Sequence, residues 1–195
     1  MFTTKTFSIP ELDGISQKNI DEHLKLYSGY VNNSNLILSK IKELSQDTQT
    51  NIYVIGELQR RFGFEFDGMR NHEIYFSSFE SGAKEIDTES SLYKKIIEDF
   101  ESFELFIVHF KTIAMTRGVG WAMLYFDRQA NKLLTTWVEE QHLGQLVGCT
   151  PVLALDMWEH AYVYDFPTSA KKDYVEVFFK NINWSVIEEN FKNAQ

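Results

Sequence analysis

Asp156-Met157-Trp158-Glu159-His160-Ala161-Tyr162 directly follows an apolar run, Pro151-Val152-Leu153-Ala154-Leu155. A continuous apolar run of that length reads as a buried strand. Asp156 is then expected at the strand's carboxyl end, with His160 four residues on. A carboxylate and an imidazole at the mouth of a buried strand can turn toward one point. That donor pair suits iron, manganese or zinc. The same spacing also serves an Asp N-cap followed by a core histidine, so the rest of the chain has to decide between the two.

Upstream of this stretch, Trp121–Phe126 and Lys132–Val138 read as two further strands around Asp127–Asn131. Gly118-Val119-Gly120 separates them from two helical patterns, Leu92–Phe100 and Phe103–Met115. Downstream, Asp173–Asn181 and Ser185–Phe191 read as closing helices. The first half is different in kind. Ser16 is a plausible N-cap for a helix running to Leu44. Ile20, Leu24, Tyr27 and Val31 recur on it at three- and four-residue spacing. A polar turn over Ser45–Thr50 leads to a second helix, Asn51–Phe79, whose middle Gly63 and Gly68 should loosen. Residues 1–14 form an extended lead-in, and the polar stretch 80–89 is the expected link. The fold class is therefore α+β: a long N-terminal helical hairpin (1–82), then a C-terminal α/β domain (90–195) with a three-stranded antiparallel sheet.

The 195 residues suffice for one large or two small domains, and 44% apolar and 15% aromatic residues supply the core. No window is long and apolar enough to span a bilayer, and a signal peptide's basic and apolar regions are not seen. The single cysteine, Cys149, excludes an internal disulfide framework and a multi-cysteine metal site. A cytoplasmic location is the expectation. A net charge of −9 argues against generic nucleic-acid binding, which needs a basic face.

Asp-x-Trp-Glu-His-Ala-Tyr resembles the signature of the iron/manganese superoxide dismutases. Other anchors fall in the same order: Tyr30-Val-Asn-Asn33, Asn71-His72, Gly118-x-Gly-Trp121 and Asn181-x-Asn-Trp184. The resemblance implies a homodimer that converts superoxide to oxygen and hydrogen peroxide at one iron or manganese ion per subunit. It implies His72, Asp156 and His160 as three of four metal ligands. The fourth is ambiguous. The family's first-helix histidine lies eight residues before the tyrosine matching Tyr30, which gives Glu22; counted from the helix start, the position is His23. One residue is missing between His23 and Tyr30, and a helix that loses one residue turns everything beyond it by about 100°. His23 is favoured, Glu22 is the alternative, and a site using neither is the third outcome.

The resemblance assigns further roles. Gln141, with Glu140 less favoured, would hydrogen-bond the solvent on the metal. The manganese-type branch places a Gln in this loop, and the position that supplies it in the iron-type branch is here Gly68. Tyr30 would be the gateway that relays protons, against a plain role as a core tyrosine. Trp121 and Trp158 would wall the site, and Glu159 would bond the metal-binding histidine of a second subunit. The family's histidine–tyrosine bridge between subunits is missing, with Leu26 or Tyr27 at one end and Val163 at the other. Phe76 and Met123 replace tryptophans, and Ala170-Lys-Lys172 replaces Arg-Arg-Pro. Lys25, Arg70, Lys171 and Lys172 are candidates for a basic rim that would attract the anion. Two other readings stay open: a family member without dismutase activity that serves as a structural or interaction subunit, and another non-haem metal enzyme using His72, Asp156 and His160 alone. Cys149 lies in no motif of a nucleophile.

Overall fold

The computed structural model describes residues 1–195. Helix α1 (Gln17–Leu44) starts where Ser16 accepts a hydrogen bond from the Asn19 amide at 3.2 Å, satisfying one of the unpaired donors of the first turn. It is α-helical over all 28 residues, and Ile20, His23, Tyr27, Val31 and Ser34 form its buried stripe. A short 3-10 turn, Ser45–Asp47, reverses the chain, and Asp47 caps helix α2 (Thr48–Ser77) through the Thr50 amide. α2 begins and ends a few residues earlier than the sequence suggests and runs unbroken through Gly63 and Gly68. Gly68 is a point of close approach: a Cβ there would lie 2.7 Å from the Tyr30 ring of α1.

After the link come α3 (Ser91–Phe100), α4 (Phe103–Ala114), the strands β1 (Gly120–Asp127), β2 (Lys132–Glu139) and β3 (Cys149–Asp156), and then α5 (Lys171–Asn181) and α6 (Trp184–Ala194). The sheet has the order β2-β1-β3, with both pairings antiparallel. β1 is central and buried along its length up to Asp127, consistent with its near-continuous apolar sequence. At its start a side chain is impossible, since a Cβ on Gly120 would fall 2.1 Å from the Val138 carbonyl. Trp121 pairs with both Val138 and Asp156, so the sheet places an indole beside the carboxylate at the end of β3.

One core of 37 buried residues runs from Tyr27 and Val31 of α1, through Met69 and Tyr75 of α2, into the sheet. α2 lies against β3, which brings the hairpin over the carboxyl end of that strand. The architecture is the α+β arrangement read from the sequence. No helix is long and apolar enough to cross a membrane.

Candidate metal centre

Asp156 ends β3 fully buried. One carboxylate oxygen, Oδ1, accepts from the Trp158 amide at 2.8 Å, which turns the chain and fixes the carboxylate plane. The other, Oδ2, faces three imidazoles. His23 Nε2 and His160 Nε2 each lie 3.1 Å away, and His72 Nε2 lies 3.5 Å away. His23 comes from α1, His72 from α2 and His160 from the 3-10 turn Glu159–Ala161. One donor atom from each of the four residues falls within 4.8 Å of the others. His72 Nδ1 donates to the Gly68 carbonyl at 2.6 Å, which leaves Nε2 unprotonated and aimed into the cluster. There, buried, it has no hydrogen-bond partner.

Helix geometry resolves the ambiguity in α1. Seven residues turn about 700°, within about 20° of two full turns. In an unbroken helix, His23 and Tyr30 therefore share a face, and both point at the site. Glu22 sits on the surface instead, paired with Lys25 at 2.7 Å. Of the two residues in question for the lost bridge, Leu26 is 44% exposed and Tyr27 is fully buried. The Tyr27 hydroxyl accepts from the Lys5 amide at 2.9 Å and lies 3.3 Å from Glu73, inside its own chain. With His23 in the cluster, the three-residue set of another non-haem enzyme does not describe this site.

Electrostatics prepare His23, His72 and Asp156 for a cation. Burial lowers His23, against the pull of Asp156. Burial, then His23, brings His72 down to about 3. Burial works to raise the Asp156 carboxyl, but His160 and His23 outweigh it and hold it well below the usual range. Asp156 is thus held as a carboxylate, and His23 and His72 resist protonation, the state a metal requires.

Gln141 is buried and spans the cluster's edge. Its Oε1 accepts from Trp121 Nε1 at 2.9 Å, and its Nε2 donates to the Tyr30 hydroxyl at 3.0 Å. An indole N–H can only donate, so it fixes which way the amide points. Glu140 contributes only its carbonyl, which accepts from Trp158 Nε1 at 3.2 Å. Trp158 stacks on His160, and Phe76 packs edge-on against His23. Outside Tyr30 lies a cavity of about 330 Å³ lined by Lys25, Leu26, Gly29, Arg61, Phe64 and Trp158, among others.

The basic rim differs from the expectation. Lys25 lines this mouth, but Arg70 is drawn away to Glu73 at 2.8 Å, and Lys171 donates to the Thr116 carbonyl at 3.0 Å. Lys172 borders a separate cleft beside α4. The residue missed was Arg61, whose guanidinium lies 3.7 Å from the Phe64 ring centroid and 2.7 Å from Glu65. Its i,i+4 spacing to Glu65 was the one available signal, and it points to an ion pair rather than to a cavity.

Three buried or half-buried imidazoles and one carboxylate converging on one point make this a mononuclear metal protein with nitrogen and oxygen ligands. The model of the iron/manganese superoxide dismutase C-terminal domain matches residues 88–190. The chain is 32% identical over 188 residues to a protein of Aquifex pyrophilus named superoxide dismutase [Fe], covering 94% of this chain and 87% of that one. It is 33% identical over 187 residues to the superoxide dismutase [Fe] of Cupriavidus metallidurans, covering 94% and 92%. It is 30% identical over 187 residues to the superoxide dismutase [Mn] of Mycobacterium leprae, covering 95% and 87%. The chain belongs to the iron/manganese superoxide dismutase family.

Proposed function

We propose that the protein is a superoxide dismutase with one iron or manganese ion held by His23, His72, Asp156 and His160. Two superoxide anions and two protons give one molecule of oxygen and one of hydrogen peroxide. The observation that carries the reading is the convergence of those four donor atoms within 4.8 Å in a chain of this family. The ion, when bound, supplies one-electron chemistry between its trivalent and divalent states.

The chain's own residues do the rest. One carboxylate among neutral imidazoles leaves the loaded site net positive, which favours an anion. Trp121, Phe76 and Trp158 restrict the space around it. Tyr30 stands between cavity and cluster. Burial and the Asp156 carboxylate raise its pKa, so the phenol stays protonated. Its oxygen already accepts from Gln141, so its own O–H is free to donate toward the cavity.

A homodimer fits the exposed side of the site. Glu159 is exposed beside His160, and Leu26, Val163 and Tyr164 are exposed apolar residues nearby. Glu159 would reach the partner's metal-binding histidine, with apolar contacts where the family's bridge is lost. Sedimentation of wild type and Glu159→Ala tests this: a dimer that loosens in the variant is expected. The lone Cys149 suits a reducing, cytoplasmic location.

The function is tested by metal content and dismutase rate for wild type, His23→Ala and Glu22→Ala. Stoichiometric iron or manganese, with activity lost only in His23→Ala, is the expected result. A folded wild type that takes up neither metal would sink the reading.

A further inference from the structure

The loop that carries Gln141 has little regular structure of its own. β2 ends at Glu139, and Glu140 and Gly144 adopt φ of 51° and 96°. A Glu139–Leu143 backbone pair closes the turn. Besides the bond from Gln141 itself to Tyr30, the loop's connection to the hairpin beneath runs through two side-chain amides. Gln145 Nε2 donates to the Gln141 carbonyl and to Asn71 Oδ1, each at 3.2 Å. Gln145 Oε1 accepts from the Tyr125 hydroxyl of β1. Asn71 Nδ2 donates to the same Gln141 carbonyl at 3.0 Å. Asn71 immediately precedes His72, and Tyr125 lies four residues beyond Trp121.

Gln145 is thus the one side chain that touches all three elements around Gln141: its own loop, α2 beside His72, and β1 beyond Trp121. Both its N–H groups and its carbonyl are used. We propose that Gln145 is a positioning residue that fixes the height of the Gln141 amide over the metal centre and thereby tunes the metal's reduction potential. The proposal rests on the reading of Gln141 as the hydrogen-bond partner of solvent at the metal. The mechanism is geometric. Gln141's side chain is pinned at its tip by Trp121 and Tyr30 and at its backbone by Gln145 and Asn71. Releasing the backbone end lets the loop rise, and the tip can then keep its bond to Trp121 or its distance from the metal, but not both.

Three variants separate positioning from packing. Gln145→Glu keeps shape and the acceptor for Tyr125 but removes both N–H donors. It also gives Asn71 a new acceptor, drawing its amide from the Gln141 carbonyl. Gln145→Leu removes all three bonds. Tyr125→Phe leaves Gln145 in place and frees one end of it. The midpoint potential of the metal-loaded protein is read by potentiometric titration, with Gln141→Asn as the reference for direction. The exchange rate of the Trp121 indole N–H is read by NMR on zinc-loaded protein. All three variants are expected to move the potential in the direction of Gln141→Asn, by less than that variant does. Indole exchange is expected to rise about fivefold in Gln145→Glu, as for loss of one ordinary hydrogen bond. If Gln145→Leu fails to fold, the other two decide. An unchanged potential and unchanged exchange in Gln145→Glu and Tyr125→Phe, with only a lowered melting temperature, would overturn the proposal. A wild type without dismutase activity would instead sink the reading of the function, while the indole measurement would still judge Gln145.

Discussion

Gly68 and Tyr30 occupy adjoining space in a way that ties a backbone position to a hydroxyl. Gly68 gives its carbonyl to His72 and its missing Cβ to the Tyr30 ring. Gly68→Ala should therefore cost about 1–3 kcal/mol, as overpacking does, and displace Tyr30 from Gln141. Urea unfolding and the dismutase rate check both, and a stable, fully active variant would contradict the packing. Tyr30→Phe tests the hydroxyl alone. It should keep metal and stability near wild type and lower the proton-limited rate by about tenfold, less than a full general acid's contribution because solvent reaches the cavity. Stopped-flow decay of superoxide at high initial concentration is the measurement. Arg61 belongs to the same scale. Residue type and spacing mark it as half of a helix-surface ion pair, and only the fold shows that this surface is the wall of the access cavity.

At the scale of elements, α1 shows what spacing can and cannot reveal. Position counts against a family pattern gave two answers for the first-helix ligand, differing by one residue. The physical constraint that separates them, a shared face for residues seven apart, applies only if the helix is unbroken, and an unbroken helix is what forms. The heptapeptide was legible because strand, turn and ligands are local to it. The Gln141 loop was less so, because its shape depends on Asn71 and Tyr125, which lie 70 and 20 positions from the residues they hold. Gly68 was misread for a similar reason: a glycine in a helix looks like a flaw until the partner filling its space is known. Gly56 is the contrast. It is exposed in α2, with nothing within 4 Å of an added Cβ. Gly56→Ala should stabilise the protein by about 0.5–1 kcal/mol through helix propensity, with no change in dismutase rate. Chemical denaturation of the two proteins side by side would decide it.

For the whole molecule, acid acts on the site from two directions with one sign. His23 and His72 have folded pKa values below the unfolded value near 6.5, and His72 is brought to about 3. The unfolded chain therefore binds protons first as pH falls. Asp156 is likewise depressed, and its contribution is lost below the usual carboxylate range. Metal-free protein should hold its melting temperature near and above pH 7 and lose it progressively between about pH 6.5 and 3. Calorimetry across that window checks the slope, and a stability that rose on acidification would contradict it. Removing the metal at neutral pH should lower the melting temperature as well, because the ion binds only the folded arrangement.

The bond from His23 to Asp156 joins residues 133 positions apart. An ion held between them would act as a clasp between the first helix and the last strand, closing a ring of 133 positions out of the chain's 195. To leave, the ion cannot simply drift out through the cavity, since His23, His72 and Asp156 are sealed from solvent. Only His160 is reached by solvent, so release is expected to need the hairpin to lift from the sheet. Metal exchange should then proceed at the rate of that opening, independent of chelator concentration once chelator is in excess, and should match hydrogen exchange of the backbone amides in the segments that part. The dwell time of the metal would be a property of how the hairpin packs on the sheet as much as of the four ligands.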